Sequence, residues 1–437
     1  MNAVIFIFLV VAASLIFFLP RRQVLLPILI GTLYFGCYLQ IEIGPTHFTI
    51  TRILIVLGLL RVMAKREHLA GGWNGLDRAM LFWAVWAVFS GFFHVPGTLV
   101  FRLGMELDTF GAYLLFRILI QDSEDMVNLC QVVCIIFLPL GMAMVYEKLT
   151  GKNSFAMLGG APGGAELRDG HFRARGPFIH QILAGTVGAV CLPLAFFMWR
   201  QKRALALTGM IATCAIVYAS GSSGPILTVL AVCFAMALWM IQDHLRLIRW
   251  LAVLMVFIMA MIMNDPVYYI LARINITGGS TGWHRAALID GAIKHFGDWW
   301  IIGTDYTRDW MPTGIEANAD NTDITNHFLL MGVWGGMPLM LLFIWVLTVA
   351  FRRVGRELKM QARMPVEKRF LIWILGSILF ADVVTFMSIS YFDQQTSIFL
   401  YLLLAAISSI CVTTAVKSPI EGAESRQSDN VHAAEMA

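Results

Sequence analysis

Apolar runs of close to twenty residues recur along the whole chain, at roughly 2–19, 23–42, 48–63, 78–94, 100–120, 126–147, 178–199, 204–220, 223–241, 248–264, 327–351, 369–390 and 395–416. A bilayer core about 30 Å thick takes about 20 apolar residues of helix to cross. Lipid leaves a spanning backbone few options besides the helix, which bonds all its own peptide groups. The pattern therefore predicts an all-α, polytopic transmembrane bundle over residues 1–416. The third run is short and carries Arg52 and Arg61, so the count is twelve or thirteen spans.

Lys and Arg mark one set of loop ends: Arg21 with Arg22, Lys65 with Arg66, Arg117, Arg200 with Lys202 and Arg203, Arg246 with Arg249, and the run from Arg352 to Arg369. By the positive-inside rule this set is cytoplasmic. The two long polar insertions, 150–177 and 265–326, then fall on the outer face, and the second is expected to hold a short helix lying along the interface. The first run lacks a basic start and a small-residue cleavage site and reads as a retained helix. Residues 417–437 are polar, without aromatics, and read as a disordered cytoplasmic tail.

Composition excludes a soluble protein: of 437 residues 58% are hydrophobic and 14% charged, and the mean hydropathy is +0.73. The net charge of +4 sits in short loops and implies no nucleic-acid partner. Cys37, Cys130, Cys134, Cys191, Cys214, Cys233 and Cys411 all lie in apolar stretches and read as small buried hydrophobes. No P-loop, no dinucleotide fingerprint and no paired Cys/His spacing is present, so no cofactor and no metal is expected. There is no internal repeat and no matched pair of interrupted spans of the kind transporters use.

Chemistry concentrates in the two outer loops. His171-Phe172-Arg173-Ala174-Arg175-Gly176-Pro177-Phe178-Ile179-His180 brings two arginines to the start of a helix, where guanidinium forks and the helix dipole suit a diphosphate or a lipid headgroup. Ser280 or Thr281 caps a predicted helix whose one side holds Trp283, Ala287 and Asp290 and whose other holds Arg285, Leu288, Ile289 and Ala292. Trp299, Trp300, Tyr306 and Trp310 suit an interfacial belt or sugar stacking. Asn318 to His327 crowds Asp320, Asn321, Asp323 and Asn326 against His327, a plausible general-base site at the mouth of the bundle. Arg102, Glu106 and Asp108 lie within an apolar run and either line a polar path or sit at its outer end near Pro96 and Gly97.

Four of these segments resemble the O-antigen ligase and polymerase family of bacterial membrane proteins, over roughly residues 100–350. Tyr146-Glu147-Lys148-Leu149-Thr150-Gly151-Lys152-Asn153 is similar to the helix end before the family's first loop, and Arg173 through His180 to its R-x-x-G-x-F-x-H motif. Tyr218-Ala219-Ser220-Gly221-Ser222-Ser223-Gly224-Pro225 stands at its S-R-G turn, with Ser223 where an arginine is usual. Trp283-His284-Arg285, Ile301 to Thr304, Asn326-His327 and Gly332-Val333-Trp334-Gly335-Gly336 complete the likeness. The family's His-Asn order is reversed here, so its histidine falls at His327 or, by distance to Gly332, near Asn321.

The resemblance implies inverting transfer of a glycan from undecaprenyl diphosphate to an acceptor sugar hydroxyl at the outer face of the bacterial inner membrane, as a polymerase of O-antigen or exopolysaccharide units. A ligase to lipid A-core shares the same fold and arginines. By that likeness Arg173, Arg175 and Arg285 bind the diphosphate, His327 is the base with Arg285 beside it in catalysis, and Asp323, Asn326, Asn321 and His180 support them. Acceptor glycolipid, membrane lipids and other polysaccharide-assembly proteins are the implied partners. A flippase or permease is the rival of another class, but no long polar cytoplasmic loop serves it. Metal-dependent transferases that use polyprenyl-phosphate sugars carry acidic residues in the first outer loop. Here Pro20-Arg21-Arg22 follows the first span, and only Glu42 precedes Gly44-Pro45-Thr46-His47.

Overall fold

The computed structural model describes residues 3–36, 38–43, 46–159, 163–273, 282–360 and 365–416. In chain order these form α1 (Ala3–Phe18), α2 (Leu25–Tyr34), the hairpin β1 (Gln40–Ile43) and β2 (Thr46–Thr49), α3 (Ile50–Lys65), α4 (Gly75–Ser90), α5 (Thr98–Glu106), α6 (Ala112–Leu119) and α7 (Ser123–Thr150). A second hairpin, β3 (Glu166–Arg168) and β4 (His171–Arg173), precedes α8 (Gln181–Phe197), α9 (Arg203–Ser220), α10 (Ser223–Ala237) and α11 (Leu245–Ile262). Then come α12 (Ile270–Arg273), α13 (Gly282–Lys294), α14 (Phe296–Trp299), α15 (His327–Met360), α16 (Val366–Phe386) and α17 (Gln394–Val416). The cap expected at Ser280 or Thr281, Cys37 and the tail expected at 417–437 lie outside the described residues.

The chain is an all-α polytopic bundle. Among the described residues eight helical stretches are long and apolar enough to cross a membrane, and one of them, Ser223–Ile262, joins α10 and α11 across a kink at Ile241. Several of the thirteen expected runs are less regular than the hydropathy implied. The run at 23–42 gives a ten-residue helix and then turns into the first hairpin. The run at 100–120 is split by a π-turn at Leu107–Gly111. Helix α11 has no buried residue and presents apolar side chains on every side.

Helix α9 packs between α7 and α8. Two glycines permit it: a Cβ on Gly141 or on Gly188 would lie 3.0 Å from the carbonyl oxygen of Ala212 or of Thr213. Cys214 and Cys233 are exposed on helix surfaces, so the expectation of burial holds for Cys130, Cys134, Cys191 and Cys411 alone among the six described.

Arg117 is not a loop-end topology marker. It is fully buried and donates to Ser408 and Ser409 Oγ at 3.0 and 3.1 Å, to the carbonyls of Ala70 and Gly72 at 2.6 and 3.2 Å, and lies 3.3 Å from Asp77. Each of its nitrogens faces an oxygen, the condition for keeping a guanidinium inside a bundle.

Helix α15 is broken at Gly335 (φ −150°) and Gly336 (φ +75°). The segment 300–304 inserts at the break: Thr304 N–H donates to Val333 O and Met337 N–H to Trp300 O, both at 2.9 Å. The next two freed carbonyls are met by side chains, Trp334 O by Arg102 Nη2 and Gly335 O by Trp86 Nε1, each at 2.7 Å. A helix interrupted at membrane depth survives only with such replacements. Gly336 is required twice, for its positive φ and because a Cβ there would overlap the Ile301 carbonyl. Gly336→Ala is expected to lower stability by about 2 kcal/mol or more. Gly355→Ala, in the same helix with nothing within 4 Å of the new Cβ, is expected to be neutral or stabilising by up to about 1 kcal/mol. Thermal unfolding in detergent, followed by tryptophan fluorescence, compares the two.

Candidate functional site

Where α8 and α15 begin, one end of the bundle opens into a cavity of about 790 Å³ lined by Arg102, Arg168, Arg173, His180, Arg285 and Asp323, with Asn321 and Asp305 also on its wall. Two loops far apart in sequence thus meet here, one bringing Arg173 and the other Arg285. Arg175, Asn326 and His327 do not line it.

Arg173 arrives on the second hairpin. Its register pairs Glu166 with Arg173, and the turn residues Asp169 and Gly170 have φ of +50° and +77°, the left-handed geometry that Asp-Gly supplies in a two-residue hairpin. Arg173 Nη1 donates to Glu166 at 3.1 Å and Nη2 to Ser222 Oγ at 2.6 Å. The turn after α9 therefore contacts Arg173 through Ser222. The chain beyond is fixed by Glu147, buried at the end of α7, whose carboxylate accepts from the N–H groups of Arg175 and Gly176 at 3.2 and 2.8 Å. Arg175 does not line the cavity: its Nη2 donates to Gly164 O at 3.1 Å, and its buried Nε–H, like those of the cavity arginines, has no acceptor.

Arg285 arrives on α13. One face of this helix, His284, Leu288, Gly291 and Ala292, is buried against the protein, while Trp283 stays exposed. His284 Nε2 donates to Asp323 O at 2.9 Å, tying α13 to the strand of chain that precedes α15. Trp299 donates to Ala292 O at 2.9 Å and is buried with Trp310, so these two support α13, whereas Trp300 and Tyr306 remain exposed. Asn321 accepts from Thr307 Oγ1 at 3.0 Å and braces the loop. Asn326 caps α15, its Oδ1 accepting from Leu329 N–H at 3.1 Å.

The electrostatics are lopsided. Glu166 is held by Arg173 and Gln181, Asp305 by His94 at 2.8 Å and Val95 N–H at 3.0 Å, and Glu316 by Arg308 at 2.7 Å. By contrast, the buried Nε–H groups of Arg102, Arg173 and Arg285 have no acceptor. Burial lowers the pKa of Arg173 and of Arg285, which Asp323 opposes for Arg285; both stay charged. Burial raises the Asp323 carboxyl, with His284 and Arg285 pulling it back. A cavity with three unmet guanidinium donors is built for an anion rich in acceptors.

His327 occupies different ground. It lines a second cavity of about 830 Å³, 4% exposed, with its ring 4.7 Å from that of Phe386 and 5.1 Å from that of Phe343. Its Nδ1 accepts from Tyr391 N–H at 3.2 Å, so in the neutral ring the proton sits on Nε2 and the available lone pair is already used. This arrangement gives the base expected at His327 no free nitrogen to accept a proton.

Glu166, Asp305, His94 and Ser222 were not singled out by sequence. The Asp169-Gly170 pair between alternating residues was a visible hairpin signal; the His94–Asp305 contact, across 211 positions, had none.

His180 caps α8 through Nδ1, which accepts from Ile182 N–H at 3.1 Å. Burial, reinforced by Arg173, holds its imidazole at about 4, below the ordinary 6.5. The unfolded chain therefore takes up a proton that the folded chain refuses, and stability falls as pH drops from 6.5 toward 4. His180→Asn keeps a capping oxygen and removes that titration. Between about pH 7 and about pH 4 the unmodified protein should lose on the order of 2 kcal/mol more stability than the variant, read from thermal unfolding at each pH. No protein-family model matches the chain, and no curated protein matches it.

Proposed function

We propose that this chain is a bacterial inner-membrane glycosyltransferase that passes a glycan from undecaprenyl diphosphate to an acceptor sugar hydroxyl, acting as a polymerase of O-antigen or exopolysaccharide units. One observation carries the reading: Arg173 and Arg285, from loops more than a hundred residues apart, line one cavity, and each keeps a buried Nε–H without an acceptor. The charge pattern of the loops puts that cavity on the outer face, where a flipped lipid-linked donor is presented.

In this reading Arg173 and Arg285 hold the diphosphate and take up the charge that grows on it as it leaves, the electrostatic contribution that fixed cations make in a water-poor site. The acceptor oxygen attacks the anomeric carbon from the face opposite the diphosphate, the bond to the diphosphate oxygen breaks, and the electron pair leaves with it. The configuration inverts. The hydroxyl proton passes to Asp323, which lines the same cavity, faces Arg285 and is raised by burial toward the range a base needs. His327 instead braces Tyr391.

Purified protein given undecaprenyl-diphosphate repeat units should produce a ladder of products on a gel, with or without EDTA. Arg285→Ala should abolish the ladder, and Asp323→Asn should slow it by about 10² or more. Arg175→Ala should leave the rate within about threefold, because its side chain contacts exposed backbone outside the cavity. Single-step transfer to lipid A-core in place of a ladder would make the protein a ligase. Neither product, with movement of the lipid-linked glycan between leaflets, would make it a flippase. A His327→Gln variant that loses the chemistry while Asp323→Asn keeps it would return the base to His327.

A further inference from the structure

The two cavities adjoin, sharing Phe101, Arg102, Trp334 and Phe392 in their walls. Arg102 and Trp334 form the partition: Arg102 Nη2 is bonded to Trp334 O at 2.7 Å, and its guanidinium carbon lies 5.1 Å from the Trp334 ring centre.

Their walls differ in the balance of buried, unmet hydrogen-bonding groups, with guanidinium Nε–H groups prevailing in the first and oxygens in the second, beside the hydroxyls of Thr322 and Thr325 in the first and the indole N–H of Trp83 in the second. Beyond the Arg102 they share, the first cavity exposes guanidinium donors. The second is lined by Asp393, Glu106 and Gln394, whose Oδ2, Oε2 and Oε1 are buried atoms with no partner. Asp393 is 5% exposed; its Oδ1 caps α17 by accepting from Thr396 N–H at 2.9 Å, which leaves Oδ2 free. Gln394 donates its Nε2 to Asp108, which Arg52 also holds at 2.7 Å, so the amide oxygen of Gln394 is the end left over. Three buried oxygens without donors are costly unless a ligand supplies them. Trp83, Phe101 and Tyr391 add aromatic surface to the same wall.

We infer that the second cavity is a carbohydrate subsite, which binds a neutral, hydroxyl-rich sugar through Asp393, Glu106 and Gln394 as acceptors. Sugar hydroxyls are donors in closely spaced rows, and their C–H faces suit aromatic rings. An anion would meet unpaired carboxylates there, and a bare hydrocarbon chain would leave all three oxygens unsatisfied. Resting on the transfer reading, this ligand is the acceptor sugar, and the Arg102–Trp334 partition is where its hydroxyl meets the donor.

The test uses two probes on the full chain in nanodiscs: methyl glycosides of glucose, galactose, mannose and rhamnose, followed by saturation-transfer NMR, and geranyl diphosphate, followed by ³¹P line broadening. At least one glycoside should bind saturably, in the millimolar range usual for a single sugar. Asp393→Asn, which keeps a capping oxygen, and Glu106→Gln should each weaken it about tenfold or more. Arg285→Ala should leave glycoside binding unchanged while weakening geranyl diphosphate by a similar factor. No saturable glycoside binding, or binding equal in both carboxylate variants, overturns the inference. So does competition between the two probes, which would put the prenyl chain in this cavity. Geranyl diphosphate binding that ignores Arg285→Ala would instead count against the transfer reading and leave the glycoside result to be judged by itself.

Discussion

A membrane-embedded helix cannot be broken unless its freed peptide groups find new partners, and the break in α15 organises this end of the molecule. At Gly335 and Gly336 the helix hands three carbonyls to outside donors, Val333 O to Thr304 N–H, Trp334 O to Arg102 and Gly335 O to Trp86. In one stroke this draws the loop before α15, helix α5 and helix α4 to a common point. The loop is further held by His94, which spans Asp305 and Ile302 O at 2.8 and 2.9 Å. Both cavities form against the resulting wall, and Arg102 and Trp334 belong to each.

From that wall outward the chemistry divides by hydrogen-bond sense. Guanidinium groups reach one cavity on the hairpin and on α13, Arg173 fastened by part of its fork, and each retains a buried Nε–H without an acceptor. Carboxylate and amide oxygens reach the other from α5 and from the start of α17. Elsewhere in the bundle Arg117 finds an oxygen for every nitrogen, and Arg52 closes on Asp108.

Much of this was legible in the chain. Runs of apolar residues gave the bundle because spanning helices are specified locally, by length and composition. Arg173 and Arg285 were legible because arginines in loops that the positive-inside pattern assigns to the outer face stand out against the usual bias. The Gly335-Gly336 pair was visible too, but not its meaning, since the donors that make a break possible come from Trp86, Arg102 and Thr304. The face that α13 buries, with His284, Leu288, Gly291 and Ala292, was not legible, because it is matched to one particular loop. His327 read as a site at the mouth of a bundle because sequence shows adjacency and not depth; its ring is enclosed by Phe343, Phe386 and Tyr391, which arrive from three places along the chain.

The central claim is that Arg173 and Arg285 act on one anion. A double-mutant cycle on the binding of farnesyl diphosphate, with Arg173→Ala, Arg285→Ala and the pair, measures it directly. Two residues gripping the same diphosphate should each weaken binding about tenfold or more and show a coupling of at least about 0.5 kcal/mol in the double variant. Losses that simply add, or binding untouched by either change, would contradict the account.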